Sequence, residues 1–357
     1  MEKEMAMIQK NDLAWESVSI SQLCTFERGK ENNMASLTEG EIPLVSARKV
    51  NNGIKGFVAC PSKIIEGGNV LSLNNDGDGG AGLAFYQPFD FALDSHVTAL
   101  HLNDNISEQA LIFMAACISK QHAIFGHGYS ISLPRAKRIL SMLPVKDSGS
   151  PDFQYMDDYI SDLKDRLLKR YKAYLIDQIA ALGDLVTIIP IQEKEWRTFY
   201  ISELFSVSRP KPRNKNDYCP GDIPFVASGS VNNGVLKLCS AIGDEKLDER
   251  NCITVSPVDG SVFYQPMDFL GRGGAGSSIL ILRSEKLNKF NSQFIARAIR
   301  QTTSKYTYGH MGNQDSIKRE RVMLPVNSEN APDYGYMEQY VKNMMIKKYK
   351  QYFDFIT

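Results

Sequence analysis

Two stretches of the chain carry apolar residues at alternating spacings of three and four. In the first, they fall at 153, 156, 160, 163, 167, 171, 174 or 175, and 179. In the second, they fall at 334, 337, 341, 344 or 345, 349, 352 and 356. This spacing gathers the apolar side chains into one stripe and predicts a helix over 152–182, stopped by Gly183, and another over 334–356. Each stripe resembles a coiled-coil seam, which needs a partner to cover it. The simplest arrangement packs the two helices against each other, antiparallel. In the alternative, each helix covers its own domain.

The pattern over 18–145 is different. Short β-type runs alternate with Gly, Asn, Asp and Pro. Ile42–Ser46, then Asn51-Asn52-Gly53, then Ile54–Val58 reads as strand, turn, strand, because an Asn-Gly turn needs positive φ. Segments 107–121 and 291–301 read as helices packed on the sheet.

The chain repeats itself. Trp15 with Ile20-Ser21-x-Leu23 matches Trp196 with Ile201-Ser202-x-Leu204, 181 residues on. At the same separation Glu41-Ile-Pro-Leu-Val45 matches Asp222-Ile-Pro-Phe-Val226, Val50-Asn-Asn-Gly53 matches Val231-Asn-Asn-Gly234, and Leu143-Pro-Val145 matches Leu324-Pro-Val326. Pro151-Asp-Phe-x-Tyr-Met156 likewise matches Pro332-Asp-Tyr-x-Tyr-Met337. Phe85-Tyr-Gln-Pro88 matches Phe263-Tyr-Gln-Pro266 at 178, and Gly126-His127 pairs with Gly309-His310 at 183. A period this long exceeds a solenoid unit and describes two similar domains, each followed by a similar tail. The expected boundaries are a first domain over 15–150, a spacer helix over 151–184, a second domain over 195–330 and a second spacer helix over 331–357.

Composition narrows the function classes. The 41 Lys and Arg balance the 41 Asp and Glu, so net charge gives no global reason to expect nucleic acid, although local patches can hide in a neutral total. No run of about 18 apolar residues spans a membrane, and the N-terminus lacks the apolar core of a secretory signal, so a cytoplasmic protein is expected. The six cysteines form no Cys-x-x-Cys pair and read as reduced thiols. Five histidines without ligand spacing argue against a metal. Gly77-Asp-Gly79-Gly-Ala-Gly82 and Gly271-Arg-Gly273-Gly-Ala-Gly276 satisfy a dinucleotide pattern, but no helix start follows the first and the two are not equivalent in the repeat. Asn74-x-Asp76-x-Asp78-Gly79 imitates a calcium loop but has Phe85 where a bidentate glutamate is required. Pro151-Asp152 with Asp162-x-Lys164 imitates a nuclease constellation, yet it lies in a predicted helix and has Asn343 and Met345 at the equivalent places. No Asn-Pro-Pro-Tyr or Asp-Pro-Pro-Tyr element of an amino-methyltransferase occurs.

The duplicated order of Trp…Ile-Ser-x-Leu, Asp/Glu-Ile-Pro, Asn-Asn-Gly, Phe-Tyr-Gln-Pro, Leu-Pro-Val and Pro-Asp-x-x-Tyr-Met resembles the specificity subunits of type I and type IIB restriction–modification systems. The resemblance spans about 15–352. It implies an α+β fold with two target recognition domains, β-rich with packed helices, linked by two long helices forming an antiparallel coiled-coil-like pair. It also implies a subunit without catalysis or cofactor that reads a bipartite site in double-stranded DNA. Its implied partner is an adenine methyltransferase subunit using S-adenosylmethionine, with a restriction subunit as a further candidate.

The duplication separates scaffold from readers. Residues alike in both copies should be structural, and residues in the same frame that differ should carry different half-site preferences. Ser46-Ala-Arg-Lys49 stands opposite Ala227-Ser-Gly-Ser230. Arg48 can take guanine O6 and N7, with Lys49 beside it, while Ser228 and Ser230 can take either kind of base edge. Arg28 and Lys30 in the first copy, and Arg209, Lys211 and Arg213 in the second, suit phosphates. His127, Tyr129 and Arg135, and their counterparts Tyr308, His310 and Asn313, form polar segments suited to DNA. Arg272 lies in the second glycine loop. An ordinary solvated surface remains the alternative for each of these segments. A protein-interaction module without a DNA role and a self-sufficient nuclease are the competing functions.

Overall fold

The computed structural model describes residues 13–30, 37–59, 64–77, 80–126, 128–274 and 278–357. The chain divides into two compact units at Arg170/Tyr171.

The first unit contains two four-stranded sheets and a ribbon. One sheet has the order Cys24–Arg28, Val97–Leu102, Val70–Asn74, Ala84–Gln87, all antiparallel. The other has the order Ile54–Ala59, Thr38–Val45, Phe91–Leu93, Ile64–Glu66, with a parallel pairing only between Thr38–Val45 and Phe91–Leu93. The expected hairpin forms around Asn51–Gly53, where all three residues have positive φ. Trp15–Ser19 pairs with Leu140–Pro144 as the ribbon. The helix Glu108–Ser119 starts at Ser107, whose hydroxyl accepts from the Ala110 N–H and satisfies one of the free donors of the first turn. It lays Leu111, Met114 and Ile118 on Leu71, Leu73 and Leu100 of the first sheet.

The second unit repeats this plan. Ser206–Ser208, Leu280–Arg283, Cys252–Val255 and Val262–Gln265 form one sheet, and Val235–Cys239, Pro220–Val226 and Leu270–Gly271 the other. The strand matching Ile64–Glu66 is reduced to a single bridge, Asp248 to Phe269. Trp196–Tyr200 pairs with Arg321–Pro325. The helix Asn291–Thr303 buries Ile295 and Ile299 among Ile253, Val255, Leu280 and Leu282.

The long helices span Phe153–Leu182 and Tyr334–Phe355, within a residue or so of expectation. The repeated motifs explain how each is joined to its domain. Val145 bridges Pro151 and Val326 bridges Pro332. Asp152 and Asp333 then cap the helices, accepting from the N–H groups of Tyr155 and Tyr336 at 3.1 and 2.9 Å. One turn on, Met156 and Met337 are fully buried in the cores of their units. Trp15 stacks on Phe113 and Trp196 on Phe294, and Tyr159 and Tyr340 meet those phenyl rings edge-on, both at 5.5 Å.

Both readings of the helical seams therefore hold in part. The first turns cover their own domains. Within the second unit, residues 171–189 run antiparallel to the C-terminal helix. Tyr174 interacts with Tyr349, whose phenol is raised first by burial and then by Tyr174. Val186 exchanges two hydrogen bonds with the Asn343 amide, and the Tyr336 hydroxyl donates to Ile189 O. Leu175 and Ile346 are fully buried, whereas Leu167 and Ile176 stay exposed. Gly183 ends the central helix with φ +79. Among the described residues no helix is long and apolar enough to cross a membrane.

Candidate nucleic-acid interface

The two candidate reader segments, 46–49 and 227–230, leave the ends of equivalent strands, and both are rooted on the same device. In the first unit the buried Gln87 amide donates to Ser72 Oγ at 2.9 Å and to Asn52 O at 3.0 Å. The Asn52 amide returns to Tyr86 O and to Gln87 Oε1. In the second unit Gln265 donates to Thr254 Oγ1 and Asn233 O, and Asn233 returns to Tyr264 O and Gln265 Oε1. This reciprocal amide pair ties the Asn-Asn-Gly turn to the Phe-Tyr-Gln-Pro strand. The turn in turn fixes the reader segment, since the Ser46 and Ala227 N–H groups donate to Gly53 O and Gly234 O, both at 2.9 Å. Both motifs are scaffold, as their repetition implies.

On that root the first segment is held by Ala47, packed on the core of the sheet, and by the backbone of Arg48. Arg48 N–H donates to Ser46 O, and Arg48 O accepts from the buried Asn74 amide at 2.9 Å. The side chains of Arg48 and Lys49 are exposed. Ser230 is exposed and Ser228 half-buried in the second reader.

The glycine loops acquire a structural role. A Cβ on Gly77 would lie 2.9 Å from Ala47 O, so this glycine lets its loop lie against the first reader. A Cβ on Gly273 would lie 2.1 Å from Lys211 O. That close approach brings the strand end carrying Arg272 beside the loop carrying Arg209 and Lys211, all three exposed. A strand, Ala84–Gln87, follows the first glycine loop. Asp76 of the calcium-like sequence pairs with His96 Nδ1 at 2.8 Å. Among the described residues no three His, Cys, Asp or Glu side chains converge on a metal position.

Arg213 departs from its expected place among the phosphate contacts. Its side chain is 3% exposed, and it donates to Glu245 at 3.1 Å, Asp248 at 2.7 Å, Gly271 O and Lys246 O. Burial alone would lower its value, yet the two carboxylates hold the guanidinium above its ordinary range. It is a fixed internal cation that joins the loop 209–215 to the second sheet. Arg28 donates to Ser95 O at 3.4 Å, and exposed Lys30 lies 3.6 Å from Glu27.

The Gly-His frame also shifts. Gly126 bridges Tyr129, and Thr307 bridges His310. The bridges therefore match at 181, with Gly126 opposite Thr307 and Tyr129 opposite His310, so the Gly-His dipeptides of the two copies lie two residues out of register in sequence. His127 itself lies outside the described residues. Tyr129 stacks on Phe125 at 5.8 Å, and the Arg135 guanidinium lies 4.1 Å over the Tyr129 ring while donating to Ser130 O. In the second unit His310 tilts against buried Tyr306, Tyr308 is 82% exposed, and Asn313 caps the helix Gln314–Lys318 through the N–H groups of Asp315 and Ser316. The amide oxygen of Asn313 is thus committed to the fold.

Lys289 and Arg297 are further exposed basic positions of the second unit, outside the candidate segments read from the sequence. Their signal was present as the helical spacing of cations in the second copy alone.

Comparison with known proteins adds the following. A family model for the type I restriction modification DNA specificity domain matches residues 13–172 and again 193–352. The specificity subunit S.BcgI of a type II restriction enzyme from Heyndrickxia coagulans is 26% identical over 341 residues, covering 94% of this chain and 95% of that one. The crystal structure of the S subunit of a type I restriction–modification system from M. genitalium aligns with a TM-score of 0.55 at 12% identity, covering 98% of this chain and 94% of that one. That likeness concerns the fold.

Proposed function

The chain belongs to the family of type I restriction modification DNA specificity domains, which it carries twice, and is a non-catalytic specificity subunit; from that premise we propose that its two domains each read one half of a split site in double-stranded DNA. The observation that supports this most directly is the pair of reader segments. They share one scaffold, the Asn-Asn-Gly turn clamped by Gln87 or Gln265, and present opposite chemistries: exposed Arg48 and Lys49 against Ser228 and Ser230. A common frame with exchanged side chains is what reading two unlike half-sites requires.

In this reading Arg48 contacts a guanine edge, and Lys49, Arg28, Lys30, Tyr129 and Arg135 line the first half-site. Ser228, Ser230, Arg209, Lys211, Arg272, Tyr308 and His310 serve the second. The half-site centres lie about one helical turn, roughly 34 Å, apart along the duplex, leaving a gap of several unread base pairs. An adenine methyltransferase subunit using S-adenosylmethionine supplies the methyl transfer, and an endonuclease is directed to the same site.

Binding by paired variants tests the assignment. Arg48→Ala should cost about 1–3 kcal/mol and relax one position of one half-site. Lys211→Ala should weaken binding to all sequences alike and lower the salt slope by about one. Equal loss on every sequence by both variants would contradict the reader assignment.

A further inference from the structure

We propose that the second unit holds the DNA phosphate backbone on the face formed by the helix Asn291–Thr303, the strand Val262–Gln265 and the segment ending at Ser230, through Lys289, Arg297 and Arg300. The inference rests on the DNA-recognition reading above and adds which face of the domain meets the duplex.

Gln293, Arg297 and Arg300 follow one another at spacings of four and three, which places them on one side of the helix, and Lys289 stands just ahead of its first turn. They line a cavity of about 590 Å³ whose wall includes Ser230 and Asn233 and no carboxylate. Lys289 and Arg297 are exposed and Arg300 is half-buried. Among the described residues none of the three cations lies within ion-pair distance of an acid. Asp259, held low despite burial by Ser256 and Ser261, feels Arg300 only as its weakest influence. Like charges three apart on a helix repel, so Arg297 beside Arg300 costs stability until an anion arrives.

The duplication shows that the fold does not need this charge. The stacks Trp15–Phe113 and Trp196–Phe294 set the frame of the two helices at 181. In that frame Glu108, Ile112, Ala116 and Ser119 stand where the second unit has Lys289, Gln293, Arg297 and Arg300. A structural requirement would appear in both copies. A partner docking alike on both copies would not find this surface twice. Phosphates fit because Ser230 opens onto the same cavity: backbone contacts fix register and orientation while the neighbouring segment reads bases.

The test is a titration of the full-length chain against a fluorescent random-sequence duplex over a range of salt concentrations. The triple variant Lys289→Gln, Arg297→Gln, Arg300→Gln should lose affinity about ten-fold or more at low salt, with the slope of log affinity against log salt reduced by about 0.9 per phosphate contact removed. The exposed single variant Arg297→Gln keeps the test decisive if the triple variant fails to fold, and should lower the slope by about 0.9 alone. If the unaltered chain binds the duplex and both variants keep its slope, this phosphate site is wrong while the DNA reading stands. If the unaltered chain binds no duplex at any salt, the DNA reading itself falls, and this inference with it.

Discussion

Each glutamine of the Phe-Tyr-Gln-Pro segments is buried and hydrogen-bonded through both its amide nitrogen and its amide oxygen. Gln87 is 0% and Gln265 3% exposed. Replacing Gln87 by Ala leaves Ser72 Oγ, Asn52 O and the Asn52 amide each short of a partner, and an orphaned buried polar group costs about 1–3 kcal/mol. Gln87→Ala and Gln265→Ala should therefore each lower the urea midpoint with an unchanged slope. An unmoved midpoint would show the clamp to be incidental. The turn itself was legible in the sequence, because Asn-Asn-Gly announces positive φ by residue type alone. The clamp was not, since its partners lie 35 residues apart and only the folded sheets bring them together. Arg213 was misplaced for the same reason. Its neighbours Arg209 and Lys211 are exposed, and nothing local reveals that Glu245 and Asp248 draw the third cation inward. The Gly-His frame shifts because the dipeptide repeats the letters of the other copy two residues out of register with the bridges Gly126–Tyr129 and Thr307–His310.

At the scale of elements, the long helices were the most legible feature, since a stripe at three-four spacing is a property of sequence that tertiary packing then uses. What the stripe did not reveal is that its first turn belongs to the domain core through Met156 and Met337. The joint before the second helix carries its own charge. Lys194 lies 2.8 Å from Asp333, with the lysine only 11% exposed, while Leu13 stands at the matching place before the first helix. Burial pushes the Asp333 carboxyl up, but the Lys194 hydrogen bond, the Tyr336 N–H and the Lys194 charge together hold it below its usual range. Glu338 is held low first by Lys342 and then, against burial, by the Asn288 amide at 2.7 Å. Both carboxyls therefore contribute stability that is complete above the ordinary carboxylate value and is lost as pH falls through their depressed values. Asp333→Asn keeps the helix cap and removes the ion pair. It should cost about 1–3 kcal/mol at neutral pH and leave a shallower loss of stability on acidification, read from urea midpoints at successive pH values. A difference from the unaltered chain that persists undiminished at strong acid would contradict that account.

At the scale of the whole molecule the duplication decides what to expect. One scaffold occurs twice, with the same strand orders apart from the edge strand reduced to a bridge in the second unit, and with the same amide clamps, so the two domains share an architecture and differ in the side chains it presents. Those differences are substantial. Arg48 and Lys49 stand against serines, Tyr129 with Arg135 against His310, and Glu108 against Lys289. On the proposed DNA reading, the expected target has two unlike halves rather than a palindrome, which identical readers would select. The duplication and the family likeness were legible because repeated motifs survive as letters. The base sequence of each half was not, because base contacts depend on how exposed side chains meet a groove. The central claim, that this chain supplies a two-part DNA specificity to a methyltransferase, is tested most directly by a methylome. The chain is expressed with an adenine methyltransferase subunit from the same genome in a host free of adenine methylation, and modified adenines are mapped by single-molecule sequencing. The account predicts one split motif with unlike halves and a fixed gap, absent without this chain and degenerate in one half only for Arg48→Ala. A contiguous motif, or methylation that persists unchanged when this chain is omitted, would contradict it.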